Sequence, residues 1–143
     1  MKVTLTNEQI YSSYGVLSKI KNKKLPISVC FAIMRDLKVM EDIVAKFEEL
    51  RSRLFDKYAK KDANGNIVYK ELENGQHAVT ILDIPAFDKE FFELSKIDIT
   101  IELVGIKQSS IMQLEDNDNY DQLTTEELEA ISILFEEETK GDS

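Results

Sequence analysis

Apolar residues at Cys30, Ile33, Leu37, Met40, Val44, Phe47, Leu54 and Tyr58 recur alternately three and four positions apart, which lines one side of a single long helix. The pattern breaks once, at Arg51, where the neighbouring Leu50 can substitute. A stripe of about 30 residues is roughly 45 Å long at 1.5 Å per residue. Water does not tolerate so long an apolar surface, so another helix, a sheet or a second chain must cover it. Packing is therefore the strongest constraint on this sequence, and nothing beside it specifies a reaction.

With 143 residues and 43% hydrophobic content, the chain is expected to form a single domain, residues 1–143, with a real core. The longest apolar run, Val29 to Met34, falls far short of the ~18 residues that read as a membrane span, and the N-terminus has no signal-peptide core. The expectation is action in a cytoplasm or in an assembly made there. The single cysteine, Cys30, reads as a small buried hydrophobe on the stripe, without a redox role.

Charge is segregated. Residues 1–24 carry five lysines against Glu8, a net of +4, whereas residues 98–143 carry thirteen acids against Lys107 and Lys140, a net of −11. The two ends can steer a partner or neutralise one another within the fold or between protomers. A nucleic-acid partner is disfavoured, because the basic cluster Lys19 to Lys24 is short and the rest of the surface repels phosphate.

The order of elements follows from caps and periods. Thr6 and Gln9 form a capping box with Leu5 and Ile10 as its hydrophobic staple, which predicts a helix from Asn7 to about Asn22 with Ile10, Tyr14, Leu17 and either Ile20 or Lys21 inward. Pro26 suits the first position of the long helix, predicted to run to about Lys61, and Gly65 ends it as a left-handed cap or lies in the turn just after. Asn74-Gly75, between Ile67–Leu72 and His77–Leu82, predicts a type I′ hairpin that either projects as an arm or lies on the core. Pro85 opens a short helix with Phe87, Phe91, Phe92 and Leu94 as a wide apolar stripe, and Ile97, Ile99, Ile101 and Leu103 alternate as a further strand. Gly105 to Leu114 reads as either more strand or loop. Thr124 and Glu127 form a second capping box, stapled by Leu123 and Leu128, with Ile131, Leu134 and Phe135 inward. The fold class is α+β: a long central helix packed with N- and C-terminal helices, plus a hairpin and a further strand in a small antiparallel sheet.

The search for chemistry gives no catalytic residue, no cofactor site and no metal site. His77 is the only histidine and sits in strand material, and there is no Gly-rich phosphate loop or nucleophile elbow. Asp116, Asp118 and Glu127 have the spacing of three calcium-loop ligands, but Asp121 replaces the glycine of the sharp turn and Glu127 belongs to the capping box. What remains is a polar, accessible segment in which Glu115, Asp116, Asp118 and Asp121 are the candidate partner-binding residues, able to meet lysine or arginine side chains.

The stretch LPISVCFAIMRDLKVMEDIVAKFEELRSRLFDKYAKKDANGN, followed by FDKEFFEL, IDITIEL and LTTEELEAI, resembles an uncharacterised family of small proteins from tailed phages and prophages of Gram-positive bacteria. The resemblance spans about residues 5–137 and rests on apolar spacing and turn residues, so it brings no functional residue with it. It implies a phage-encoded protein at work in the cytoplasm of an infected bacterium or in a virion. Two functions are then expected to compete. One is a non-enzymatic virion structural or assembly component that binds a protein partner, with room for self-association. The other is an inhibitor of a host or bacterial-defence protein that uses its acidic surface. Neither involves a membrane.

Overall fold

The structure, a computed structural model, describes residues 1–136. Its elements in chain order are β1 (Lys2–Thr6), α1 (Asn7–Ile20), α2 (Ile27–Tyr58), β2 (Tyr69–Glu71), β3 (His77–Val79), α3 (Ile84–Ser95), β4 (Asp98–Glu102), α4 (Gln108–Met112) and α5 (Thr125–Ser132). The α+β class and the long helix are as the sequence indicates. The strand pairing differs: there are two separate antiparallel pairs, β1 with β4 and β2 with β3. The further strand thus finds its partner in residues 2–6, a segment whose two inward residues, Val3 and Leu5, are too few to register as an alternating pattern. Contacts gather into two compact units, one of Met1–Val44 with Asp98–Ser143 and one of Ala45–Ile97.

In the first unit the capping box at Thr6 is formed, with Gln9 N–H donating to Thr6 Oγ1 at 3.2 Å and Thr6 N–H to Gln9 Oε1 at 2.9 Å. The staple residues Leu5 and Ile10 are both buried. Ile10, Leu17 and Ile20 face inward as predicted, Tyr14 is half-buried, and the helix stops at Ile20 rather than Asn22. These side chains pack with Val29, Ile33, Met40, Ile101, Ile131 and Leu134 into one aliphatic core. The second capping box is also formed, but Leu128 is exposed and does not staple the end of α5. Leu134 and Phe135 lie beyond α5, where the chain runs parallel to Ile106: Ile106 N–H donates to Leu134 O at 2.7 Å and Glu136 N–H to Ile106 O at 2.9 Å. The ambiguous stretch 105–114 holds the short helix α4.

The buried stripe of α2 departs from the predicted one in its first half. Cys30 is exposed, contrary to expectation, with its Sγ 3.4 Å from Leu25 O, and Leu37 is only half-buried. Burial holds at the expected Ile33, Met40 and Val44 and is extended by Val29, Ala32 and Asp36. An unsupercoiled helix turns every 3.6 residues, so a repeat of 3.5 drifts around its surface, and residues one position away take over the inward side.

The second unit is built on aromatic rings. Phe47 is buried and its ring centroid lies 6.3 Å from that of Phe91, while Phe87 stacks on Phe91 at 6.0 Å and meets Phe55 at 5.1 Å. Asp83 caps α3 by accepting Ala86 N–H at 3.2 Å, and Pro85 occupies the first turn. The wide stripe expected on α3 is split, since Leu94 is buried but Phe92 points outward.

Two turns of one geometry shape the remainder of this unit. Gly65 N–H donates to Asp62 O while Asp62 N–H donates to Asn66 O, and Gly75 N–H donates to Leu72 O while Leu72 N–H donates to Gln76 O. Gly65 and Gly75 have φ of 81° and 80°, and neither Asn64 nor Asn74 has positive φ. Each Asn-Gly therefore closes a type I turn with a left-handed glycine after it, not the type I′ turn predicted for Asn74-Gly75. Gly65 lies in a turn and caps no helix. Residues 58–62 run across the root of the hairpin, pairing by one edge with both its strands: Lys60 N–H donates to Thr80 O at 2.8 Å, and Lys60 O accepts Val68 N–H at 2.9 Å. β2 is fully exposed. The hairpin is a short arm with an anchored root.

Candidate interaction surfaces

The four predicted partner-binding acids fall in the first unit, between α4 and α5, and they are not equivalent. Glu115, Asp116 and Asp118 are exposed, and Asp116 has a left-handed φ of 53°, a conformation that aspartate tolerates better than most residues. Asn117 Oδ1 accepts Asn119 N–H at 3.0 Å, which shapes the turn from within. Asp121 is committed to the fold: its Oδ2 accepts Lys24 N–H at 2.7 Å, and its own N–H donates to Lys24 O at 2.8 Å. Glu127 is committed as well, to its cap and to Lys23 Nζ at 2.8 Å. The Lys23 ammonium, followed by the Thr124 backbone N–H, holds the Glu127 carboxyl below its ordinary range. The calcium-like spacing thus has one of its three acids, Glu127, in structural bonds, Asp121 at the place of the glycine is bonded too, and among the described residues no three metal-ligating side chains converge.

Opposite in charge is the face made by the end of α1 and the first half of α2. From Gln9 to Met40 the sequence contains one acid, Asp36, and it is completely buried, so every exposed charge there is positive. An open groove of about 500 Å³ between the two helices is lined by Tyr14, Lys21, Cys30, Met34, Leu37 and Lys38 among others, with Glu41 its one acid. Ile27, Phe31 and Met34 stand on the adjoining side of α2 with 88%, 51% and 58% of their surfaces exposed. The Arg35 guanidinium lies 5.7 Å above the Phe31 ring.

The second unit has an apolar groove of its own, lined by Leu50, Leu54, Leu94 and Ile97 and edged by Arg53 and Glu93. Lys57 Nζ lies 2.9 Å from Glu90 Oε1 on the neighbouring turn of α3. That ammonium, with the Tyr58 side chain next in weight, holds the Glu90 carboxyl below its ordinary range. His77 is exposed on β3 with its ring 6.3 Å from that of Tyr69, a contact across the arm.

Asp36 escaped the sequence reading. Its Oδ1 accepts Val104 N–H at 2.7 Å, just past the end of β4, while Oδ2 is buried with no hydrogen-bond partner. Desolvation raises its pKa from the ordinary 3.8 to about 6, against the opposing pull of the Val104 N–H and the positive charges of the Met1 amino group and Arg35. The available signal was positional, since 36 lies three after Ile33 and four before Met40, on the inward side of the helix.

No protein-family model matches this chain, and neither a curated protein nor a solved structure matches it. The functional reading therefore rests on the surfaces just described.

Proposed function

We propose that this is a phage protein that works without catalysis, by binding another protein, as a structural or assembly component of the virion. The observation that carries the reading is the set of large apolar side chains left in water on helices and turns of both units, with Leu82, Met112 and Phe92 at 68%, 67% and 62% exposure beside the groove-flanking Ile27 and Met34. Exposed apolar residues set among charges are the composition of a protein-docking surface. The resemblance in element order to small phage and prophage proteins supports the setting, the cytoplasm of an infected bacterium or the virion itself. No helix of the described residues is long and apolar enough to cross a membrane. Nucleic acid is disfavoured as a partner by the net charge of −9.

A second reading has its own support. From Gln108 to Glu136 the sequence has eight acids and no lysine or arginine, an anionic run suited to a basic groove on a host or defence protein. One experiment separates the two. The protein is used as bait in extracts of infected or prophage-bearing cells, and association with the captured partner is then measured across ionic strength for wild type and for Glu115→Gln/Asp116→Asn/Asp118→Asn/Asp121→Asn. A virion protein as partner favours the structural role, and a host or defence protein favours inhibition. An association rate indifferent to both salt and substitution removes the acidic segment from either account.

A further inference from the structure

We propose that the cationic face of α1 and α2 docks a second copy of this chain, receiving the anionic α4–α5 segment of that copy. The inference deepens the protein-binding reading by naming a partner and a surface for it.

Complementarity within the first unit is the argument. Lys19, Lys21, Lys24, Arg35 and Lys38 lie on a stretch with no exposed acid, and none of them forms an ion pair among the described residues. The same holds for Glu115, Asp116, Asp118, Glu126 and Glu129 on the opposite-signed segment. Within one copy, Lys23–Glu127 is the ion pair that joins the two segments, at 2.8 Å. Both faces also carry apolar anchors: Ile27, Phe31 and Met34 on the cationic one, and Met112 and Leu128, at 67% and 39% exposure, on the anionic one. Apolar knobs ringed by unpaired charges of one sign, twice over and with opposite signs, fit each other better than either fits itself.

From Ile27 to Val39 the cationic stripe runs about 18 Å along α2 at 1.5 Å per residue. A patch of this length belongs with the smaller interfaces, so the association is expected to be reversible and salt-sensitive, not obligate. If the basic face of each copy meets the acidic face of the other, the assembly closes as a dimer; if the pairing is head to tail, it extends.

The test is sedimentation velocity on the full chain over a concentration series at low and high salt. Wild type is expected to gain mass with concentration and to associate roughly tenfold more weakly at high salt. Lys21→Glu/Lys38→Glu and Glu115→Lys/Asp118→Lys should each stay monomeric, and the quadruple variant, which restores opposite signs, should associate again. Phe31→Ala, at an exposed site, should weaken association while leaving the circular dichroism and melting temperature at wild-type values. A wild type that stays monomeric throughout, or a folded quadruple variant that does not recover association, overturns the proposal. The protein-binding reading fails separately. A wild type that captures a heterologous partner yet stays monomeric at every concentration and salt defeats this proposal alone. Self-association with no heterologous partner and no virion incorporation defeats the other.

Discussion

The two units of this chain solve the same packing problem with different materials. The first excludes water completely from Ile10, Leu17, Ile20, Val29, Met40, Ile131 and Leu134, all branched or flexible aliphatics that interlock at high density. The second buries Phe47, Ala59 and Leu94 among its described hydrophobic residues and leaves Phe87, Phe91 and Tyr58 half in water, held by ring-on-ring contacts. Their chain paths differ too. The first unit joins distant segments, as where Leu5 opposes Ile99 across the β1–β4 pair, whereas the second is one continuous stretch, 45–97. A core of remote contacts is lost all at once, while a shallow local one opens alone, so stability is expected to be uneven along the chain.

The sharpest way to break that comparison is truncation. Leu17→Ala, at a fully buried site, should cost about 4 kcal/mol of stability, read by chemical denaturation. Phe87→Ala, at a half-buried ring, should cost about 2 kcal/mol, below the usual range for a core phenylalanine because part of its surface is already wet. Equal losses would mean that the second unit is as tightly cored as the first. Amide exchange offers an independent view: β2 and β3 should exchange well before β1 and β4.

Asp36 gives the next effect, and it belongs to the first unit alone. A carboxyl whose folded pKa is raised binds its proton more tightly when native, so the stability it contributes is present at the acid end and lost as pH rises from about 4 to about 6. Two pKa units at 1.36 kcal/mol each bound the change at about 3 kcal/mol. Denaturation midpoints measured across that window should fall with pH in wild type, relative to Asp36→Asn, in which this slope is absent. Glu127 acts in the other direction and lower down. Its pKa is depressed, so its contribution holds above the ordinary glutamate value and is lost as pH falls through the lower folded one. An equal slope in both proteins at pH 4 to 6 would remove Asp36 as its source.

Caps and periods made much of this architecture legible. Thr6–Gln9 and Thr124–Glu127 declare two helix starts because reciprocal bonds between cap and third residue need only local chemistry. The rest depended on distant partners. Asp36 showed only by its position among inward residues, its bond to Val104, 68 residues away, being out of reach, and β1 was hidden because its pattern means little without β4 opposite. The acidic segment was legible as exposed, but not the distinction between Asp121, which bonds Lys24, and its three neighbours. The cationic face was legible as a cluster of lysines; its apolar anchors Phe31 and Met34 lay outside the expected stripe but were not singled out, since their exposure shows only once the buried side of α2 is known.

The twin turns make a prediction confined to the second unit. Gly65 and Gly75 face open space, so an added methyl group meets no neighbouring atom, and the penalty of Gly→Ala there is backbone strain from positive φ, about 1 kcal/mol at each turn. Gly→Asn should cost less, because asparagine enters the left-handed region more readily. Since the turns share one hydrogen-bond pattern, the two alanine variants should lose similar amounts, with Gly65→Ala also loosening the root of the arm, measured as faster exchange at Lys60 and Val68. Markedly unequal losses would show that the arm and its root do not open together.

The smallest effects should come from the acids proposed for binding, and the contrast among them is informative. Glu115→Gln, Asp116→Asn and Asp118→Asn replace exposed carboxylates that bond nothing in the fold, so each should shift stability by less than about 0.5 kcal/mol. Asparagine at 116 preserves tolerance of the left-handed φ, which alanine would not. Asp121→Ala removes the acceptor of Lys24 N–H and should cost about 1 kcal/mol, toward the low end for a charge-assisted bond because the site is open to water. Partner association should show the reverse ranking, slowed by the three neutral variants and less by Asp121→Asn, whose carboxylate is already engaged. If Asp121 proved the most important for association and the least for folding, the Lys24 contact would have to yield on binding, and this loop would be an element that rearranges, not a preformed surface.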